Sequence, residues 1–533
     1  MLLNAPTIHD VLFNDNIKRN ASDMAICDES TSISWHQLRE RCISLAVEMK
    51  DTLGLGEHQH IALLIGNRTE FIESMLSGII AGLWITPVNT HLNSSEVNYI
   101  IGDSGAKVLF YDDQHAHLIE DYLQGNQQTC ECINIEEFCS MTYQKKPNNE
   151  NSELTENCFP LSGAAGGTML YTSGTTGKPK GVKRNKPGSL DEVMKRMQSG
   201  GKMFGLDGKG PHLVTGPLYH AAPMLFALYD LLNGAPMVIM PKWNNQMFVD
   251  LVIQHGITTT HLVPTMFVRL LNDNAIAEKQ TDFTTLQLVL HGAAPIAKST
   301  KQKMLQWWGN ILVEYWGGTE AGVTTLVTSE QWLEHPGTVG KPLPHFDVYV
   351  GDDAGNPVDN SSVGQSSKDT GNESPLEGLL FCRHHQLSQV FEYHHDDKKT
   401  QLSHPQPYVF CIGDIGYVAD GFVYLSDRQS NMIISGGVNI YPAETEQALL
   451  EHEAVADVAV FGIPSNEWGE DVKAAIQLKP GFEPSKALAE SIIGFSREKV
   501  ATYKAPKSID FESLLPRTPT GKLLVRLLKE RYQ

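Results

Sequence analysis

Apolar and polar positions along the first 430 residues follow two alternating periods. His60–Leu64 is a short apolar run, and Glu70–Leu83 after it has helical spacing. Trp84–Val88 and Lys107–Tyr111 read as buried strands. The rhythm returns at Leu213–Thr215, Pro236–Met240, Leu286–Leu290 and Ile311–Tyr315. Strands alternating with helices predict βαβ units and mostly parallel sheets flanked by helices. Ligands of such sheets bind beyond the carboxyl ends of the strands, so polar motifs that follow strands carry weight.

Two stretches break the rhythm. Asn148–Glu156 is polar and reads as a loop, and Gly355–Glu377 reads as a long solvated insertion. Tyr417–Tyr424 places Asp420-Gly421 between two β-rich runs, a hairpin signal. From about Gln429 the pattern changes. Met432–Ser435 is a strand ending in Gly436-Gly437, and Pro442 opens a helix through Glu451 with Glu444 near its positive end. Strands Val455–Phe461 and Val472–Leu478 follow, then helices near Leu488–Lys499 and Lys522–Lys529. The expected fold class is α/β. Residues 1–428 form a large N-terminal domain with mostly parallel sheets plus a β subdomain, and residues 429–533 form a small α+β C-terminal domain.

Composition narrows the function. In 533 residues, 42 Lys+Arg face 62 Asp+Glu, a formal net charge of -20. Such a surface repels phosphate backbones, which argues against a general nucleic-acid or anionic-membrane binder. With 41% apolar residues the chain has material for a sizeable core. The eight cysteines are sparse; Cys130, Cys132 and Cys139 lack a CxxC or HxxxH partner and read as ordinary thiols. Residues 1–20 lack an apolar signal core, and Met75–Val88 is shorter than the ~20 residues of a spanning helix. The closing Glu-Arg-Tyr-Gln is not a peroxisomal address. A soluble cytoplasmic protein is expected.

The most informative stretch is Tyr171-Thr-Ser-Gly-Thr-Thr-Gly-Lys-Pro-Lys-Gly-Val182. Its glycines let backbone N–H groups turn towards an anion, its hydroxyls donate, and its lysines add charge. By composition it is a phosphate loop. It is not a Walker P-loop, because Thr172 and Pro179 stand where that motif needs Gly and Ser or Thr.

This string resembles the signature of the adenylate-forming superfamily: acyl-CoA synthetases, luciferases and peptide-synthetase adenylation domains. Six further stretches resemble that family in order. Pro217-Leu-Tyr-His220-Ala-Ala-Pro223 is similar to the segment with the substrate-gating histidine, and His291-Gly-Ala-Ala-Pro295 to the adenine-side loop. Tyr315-Trp-Gly-Gly-Thr-Glu320 resembles the aromatic-Gly-x-Thr-Glu motif, and Ile412-Gly-Asp414 the ribose motif. Asp427-Arg428, then Ile434-Ser-Gly-Gly-Val-Asn-Ile-Tyr-Pro442, resembles the hinge and the loop after it. Pro516-Arg-Thr-Pro-Thr-Gly-Lys522 resembles the segment with the catalytic lysine. Singly, Glu320 reads as a surface acid, Asp414 as a turn residue and Lys522 as a solvated lysine. Their joint order carries the resemblance.

The resemblance implies attack of a carboxylate on the α-phosphate of ATP, giving an acyl-adenylate, in which positioning and electrostatics supply the catalysis. Thr172, Ser173, Gly174, Thr175, Thr176, Gly177 and Lys178, continuing to Lys180, would hold the β- and γ-phosphates. Glu320 would hold Mg²⁺, Thr319 would touch the α-phosphate, and Gly292 and Trp316 would line the adenine. Asp414 and Arg428 would bind the ribose. Lys522 would bridge the substrate carboxylate and the α-phosphate. His220, Tyr315 and Gly317 would line the acyl pocket, and Ser430 would be the hinge of a mobile small domain. Gly436 and Gly437 resemble the loop beside the pantetheine tunnel, and Gly462–Lys473 resembles a CoA-ligase pattern in which Trp468 stacks on the CoA adenine.

Three positions depart from the family pattern. Trp316 replaces the usual Tyr, Tyr315 precedes it where a smaller residue is common, and Ser430 replaces Asp or Lys. A bulky Tyr315 argues against a deep straight tunnel for very long chains. The leading expectation is an AMP-forming ligase joining a fatty or similar apolar carboxylic acid to CoA. Two alternatives stay open: an acyl-adenylate ligase that loads an acyl carrier protein, and a non-catalytic nucleotide-binding protein of the same fold. A homodimer also stays open.

Overall fold

Phe71–Ile80 is apolar almost all round, and the helix it forms, Thr69–Ile80, is buried along its whole length except at Glu70. Asp28 accepts hydrogen bonds from the backbone N and the hydroxyl of Thr69 at its first turn, at 2.8 and 2.7 Å. The helix stops before the expected Leu83 because Gly82 takes a left-handed φ of 76° and turns the chain into a strand. Mid-helix, the buried Glu73 is met by Arg41 at 3.2 Å and by the Tyr143 hydroxyl at 2.8 Å.

The computed structural model describes residues 20–124, 129–144, 159–172, 179–184, 187–277, 283–358, 375–428, 431–435, 438–465, 468–518 and 523–532, with backbone only at 274, 277 and 428. The expected loop at 148–156 and most of the 355–377 insertion fall outside them. The chain forms two compact units. The first comprises residues 1–262, 273–290 and 391–397, and the second residues 263–272, 291–390 and 398–533.

The first unit holds a seven-stranded sheet in the order Phe391–Tyr393, Lys180–Arg184, Gly167–Thr172, Trp84–Pro87, His60–Leu64, Ala106–Tyr111, Glu131–Asn134. The last five are parallel to one another, and the first two join antiparallel. A second group of strands runs Ser32–Ser34, Met24–Cys27, Met237–Ile239, His212–Val214, Thr259–Leu262, parallel except for the first. Helices such as Trp35–Asp51, capped by the Ser34–Gln37 box, cover these strands. Every expected strand here lies within two residues of its place, because each is a β-rich run bounded by polar or turn residues.

The second unit carries the β subdomain. Its antiparallel sheet runs Phe346–Val350, Gly378–His384, Asp414–Ala419, Phe422–Arg428, Thr338–Pro342, Gly322–Val327, Leu312–Gly318. The hairpin turn is Asp420-Gly421, with φ of 51° and 76°, the two positive values that a tight two-residue turn demands. From residue 431 onward a five-stranded sheet forms: Val438–Ile440, Ile433–Ser435, Gly469–Leu478, Val455–Ser465, with Ser508–Phe511 parallel to Gly469–Leu478. Ile433, Leu449, Val458, Val460, Ile476 and Ile492 make its core beneath the helices Pro442–Leu449 and Lys486–Lys499. The chain is thus mixed α/β with a large N-terminal part and a smaller α+β C-terminal part.

Candidate active site

In the first unit, Thr172 ends its strand and pairs with Lys180 across an antiparallel hairpin. The tip, Ser173, Gly174, Thr175, Thr176, Gly177 and Lys178, lies outside the described residues. Both arms are tied down. The Tyr171 hydroxyl donates to Asp103 Oδ2 at 2.7 Å, and Lys180 forms an ion pair with Asp396. That hydrogen bond holds the Lys180 amine above its ordinary pKa. Lys180 therefore already has a carboxylate partner, which sequence reasoning, placing it on the phosphates, did not foresee.

His220 is the half-buried N-cap residue of the apolar helix Ala221–Leu232, with no side-chain capping bond. Its ring lies 4.5 Å from that of Tyr219, which is buried. Asn67 was missed by sequence reasoning and pins this segment. Its amide donates to the carbonyls of Gly216 and Met240 at 2.9 and 3.0 Å, and its oxygen accepts from Leu218 N at 2.8 Å. The only signal was a polar residue just beyond an apolar strand.

The second unit brings several of the expected residues together. Tyr315 and Trp316 lie on the strand Leu312–Gly318, both buried. A Cβ on Gly292 would stand 2.7 Å from the Tyr315 carbonyl oxygen and 2.8 Å from its ring, so only glycine admits this approach. Burial pushes the Tyr315 phenol pKa up, which keeps it neutral. The Trp316 indole Nε1–H donates to Asp414 Oδ2 at 2.8 Å, across 98 residues of chain. Both side chains are at most 5% exposed, so water cannot easily replace that bond. Arg428 stands directly opposite Asp414 in the hairpin, which sets the two expected ribose residues side by side by backbone register.

After Trp316 a bulge turns the strand. A Cβ on Gly317 would stand 1.9 Å from the Gly322 carbonyl oxygen, so no side chain fits there. The Glu320 carboxylate folds back to 3.1 Å from the Cβ position of Gly318, with Ile412 at 3.3 Å from the same point. Thr319 and Glu320 are both half-buried. One carboxylate with a hydroxyl beside it fits Mg²⁺, a hard cation that takes few protein oxygens and keeps places for water and phosphate. Beneath the strand, Lys301 Nζ meets Glu314 Oε2 at 2.5 Å in a fully enclosed pair that the sequence did not reveal. Burial pulls the lysine pKa down and pushes the glutamate's up, while each charge opposes the shift of the other.

Asp427 accepts from Ala443 N at 3.0 Å, in the first turn of the helix Pro442–Leu449, and from Asn431 Nδ2 at 3.1 Å. Ser430, Gly436, Gly437 and Lys522 lie outside the described residues, as does the Arg428 side chain. The lysine-bearing segment is anchored at its start: Arg517 grips Asp457 with two hydrogen bonds of 2.7 and 2.8 Å and pairs with Leu523 across a β-bridge. Trp468 is 45% exposed rather than packed in the core, and Lys507 stands 5.1 Å over its ring. Among the described residues, no helix is long and apolar enough to cross a membrane.

These residues lie on a mixed α/β scaffold, and comparison with known proteins places that scaffold in a family. The profile of the AMP-binding enzyme family matches residues 13–365, and that of the AMP-binding enzyme C-terminal domain matches residues 444–522. The chain belongs to the AMP-binding enzyme family, within the adenylate-forming superfamily and near the fatty-acyl-CoA ligases. It is 28% identical over 516 residues to the fatty acid–[acyl-carrier-protein] ligase ScoC of Streptomyces coeruleorubidus, covering 95% of this chain and 93% of that one. It is 27% identical over 512 residues to the long-chain-fatty-acid–CoA ligase FadD13 of Mycobacterium tuberculosis, covering 94% and 93%. The o-succinylbenzoate CoA synthetase of Bacillus subtilis, solved with its acyl-adenylate intermediate, shares the fold with a TM-score of 0.76, at 24% identity and 95% coverage of both chains.

Proposed function

We propose that this protein uses ATP to activate a fatty or similar apolar carboxylic acid as its acyl-AMP, then passes the acyl group to CoA, releasing AMP and pyrophosphate. The observation that carries the reading is the buried contact between Trp316 and Asp414, which joins the adenine-side strand to the ribose-side hairpin. In this reading Gly292 and Trp316 accept adenine, while Asp414 and Arg428 hold the ribose. Thr172 and the Ser173–Lys178 tip hold the outer phosphates. Glu320 would hold Mg²⁺, whose charge would offset that of the phosphates, and Thr319 touches the α-phosphate. His220, Tyr315 and Gly317 shape the acyl side. Lys522 brings positive charge to the joining carboxylate and α-phosphate, the point at which two anions must meet.

Residues 1–428 act as the large domain and residues 429–533 as the small one, turning about Ser430 between the two half-reactions. Acyl-dependent exchange of labelled pyrophosphate into ATP tests the first step, and an AMP-release panel from C2 to C18 acids and aryl acids reads the substrate. Exchange that no acid stimulates would leave a nucleotide-binding protein instead.

The acceptor has two supported readings. The exposed Trp468 suits a stacked adenine, which favours CoA. Similarity to an acyl-carrier-protein ligase supports the other. Trp468→Ala separates them. With CoA as acceptor its KM should rise about three- to tenfold, the scale of one lost stacking contact of ~0.5–1.5 kcal/mol, while pyrophosphate exchange is unchanged. Efficient transfer to holo-acyl carrier protein, with none to CoA, would reverse the assignment.

A further inference from the structure

A second set of ligand-bearing side chains lies in the first unit, beside the arm of the phosphate hairpin. Asp103 sits in the last turn of the helix Ser94–Ser104, and His394 and His395 follow the edge strand Phe391–Tyr393. That strand pairs with Lys180–Arg184, and His394 N donates to the Gly181 carbonyl at 2.8 Å. One carboxylate oxygen and one ring nitrogen from each histidine lie within 4.8 Å of one another. None of the three has a role in the reaction proposed above.

The set is oriented. Tyr171 Oη donates to Asp103 Oδ2 at 2.7 Å, and Tyr99 Oη reaches Oδ1 at 3.4 Å. His394 Nε2–H donates to the Asp103 carbonyl at 3.0 Å, which fixes its ring against the helix end and leaves the lone pair on Nδ1. The two imidazoles stack with centroids 3.7 Å apart, and His395 takes a left-handed φ of 55°. Hydrogen bonds of this kind to carboxylate and imidazole are those that aim metal ligands. Asp103 is 18% exposed and His395 70% exposed, so the set has a protected side and a route from solvent. Nearby Lys180 is already balanced by Asp396.

We propose that Asp103, His394 and His395 form a binding site for a divalent transition-metal ion of zinc type, which ties the end of helix Ser94–Ser104 to the returning arm of the phosphate hairpin. Two imidazoles and one carboxylate select such an ion over Mg²⁺ or Ca²⁺, which prefer all-oxygen ligands. His395 Nδ1 is 4.0 Å from Asp103 Oδ1. Ligand atoms about 2.1 Å from a tetrahedral ion stand about 3.4 Å apart, so the 4.0 Å pair closes by about 0.6 Å and the set, now within 4.8 Å, contracts around the ion chiefly by movement of the exposed His395. Water takes the fourth position. The ion here would be separate from the Mg²⁺ that accompanies ATP.

The test uses the full chain, stripped with chelator and free of nucleotide, which would itself bind metal. Titration with Zn²⁺ in a calorimeter should show one site per chain, and Co²⁺ should give the visible absorption of a nitrogen- and oxygen-ligated ion. Zn²⁺ should also raise the thermal midpoint of unfolding. His395→Ala changes an exposed side chain, so it should fold normally and weaken Zn²⁺ binding by tenfold or more. Asp103→Asn should do the same. Loss of binding and of the thermal shift in both variants supports the site. No Zn²⁺ binding to the parent protein, or binding that both variants retain, overturns it.

Discussion

Replacing Trp316 with phenylalanine isolates one interaction at the centre of the site. The ring that would stack on adenine remains, and the donor to Asp414 is lost. That bond is 2.8 Å long and ends on a carboxylate that is 4% exposed. A hydrogen bond to a charged group contributes about 1.5–3 kcal/mol, and here water has little access to replace it. At ~1.4 kcal/mol per factor of ten, the expected loss in kcat/KM for ATP is about tenfold to a hundredfold. The penalty falls on the nucleotide because Asp414 must be held still before the ribose arrives, and without Trp316 that ordering is done at binding. The KM for the acid should stay within about twofold. Pyrophosphate exchange measured with ATP and with 2′-deoxy-ATP gives a second readout. The parent enzyme should discriminate clearly between the two, and Trp316→Phe should discriminate less, because its Asp414 reads the ribose poorly. A general loss of packing would lower both rates equally and leave the ratio alone. If Trp316→Phe folds, binds ATP normally and keeps the parental ratio, the bond does not position Asp414 for the ribose.

Three other outcomes are expected. Tyr315→Ala removes the ring lying against Gly292 and should extend acceptance to longer or bulkier acids, at a stability cost of about 3–5 kcal/mol for truncating a buried aromatic; an unchanged chain-length profile would take Tyr315 out of the acyl pocket. Lys522→Ala should slow adenylation by roughly a hundredfold or more while leaving thioester formation from synthetic acyl-AMP near the parental rate; equal loss in single-turnover assays of both steps would make Lys522 structural. Burial pushes the carboxyl of Glu446, which accepts from Val460 N and faces Asp427, Asp457 and Arg517, from 4.5 up to about 7. A raised carboxyl favours the folded state below pH 4.5 and loses that contribution as pH rises through about 7. Glu446→Gln should therefore gain about 3 kcal/mol on the parent protein between pH 4.5 and 8 in urea titrations, and parallel pH curves would refute the shift.

Much of this arrangement could be read without coordinates wherever a local backbone demand selects the residue. Asp420-Gly421 announces its turn because both positions take positive φ. Gly292 and Gly317 stand where a single methyl would strike backbone carbonyl oxygen, so motif and geometry coincide. Strands in the parallel sheet of the first unit were legible because they are buried on both faces and read as unbroken apolar runs. Ser508–Phe511 was not. Its Ser-Ile-Asp-Phe has no long apolar run, and the strand exists because Gly469–Leu478 offers it a parallel edge, Lys473 pairing with Ser508. The helix from Thr69 was legible in its face but not in its end, since an apolar pattern continues through Gly82 while the backbone turns there.

The partnerships were the least legible part, and they decide how the site works. Lys180 looked like a phosphate ligand by type, yet its charge is met by Asp396, 216 residues away. Trp316 looked like a stacking surface, and its indole also holds a carboxylate that the sequence assigned to the sugar. A motif names which chemical groups are present, because a glycine turn, a lysine or an acid is needed at that point of the backbone. It does not name the groups that arrive from distant segments to orient or neutralise them. A low-dielectric site makes those arrivals count. A carboxylate buried beside an indole N–H is held in one direction, and a lysine already paired costs more to recruit for phosphate than a free one. Lys180→Met should therefore weaken ATP binding less than the density of the phosphate string suggests, about threefold or less in KM, because that charge serves Asp396 and the hairpin arm. A loss of a hundredfold in kcat/KM for ATP, with an unchanged thermal midpoint, would show that the lysine leaves Asp396 for the phosphates and that the pair seen here is a resting contact.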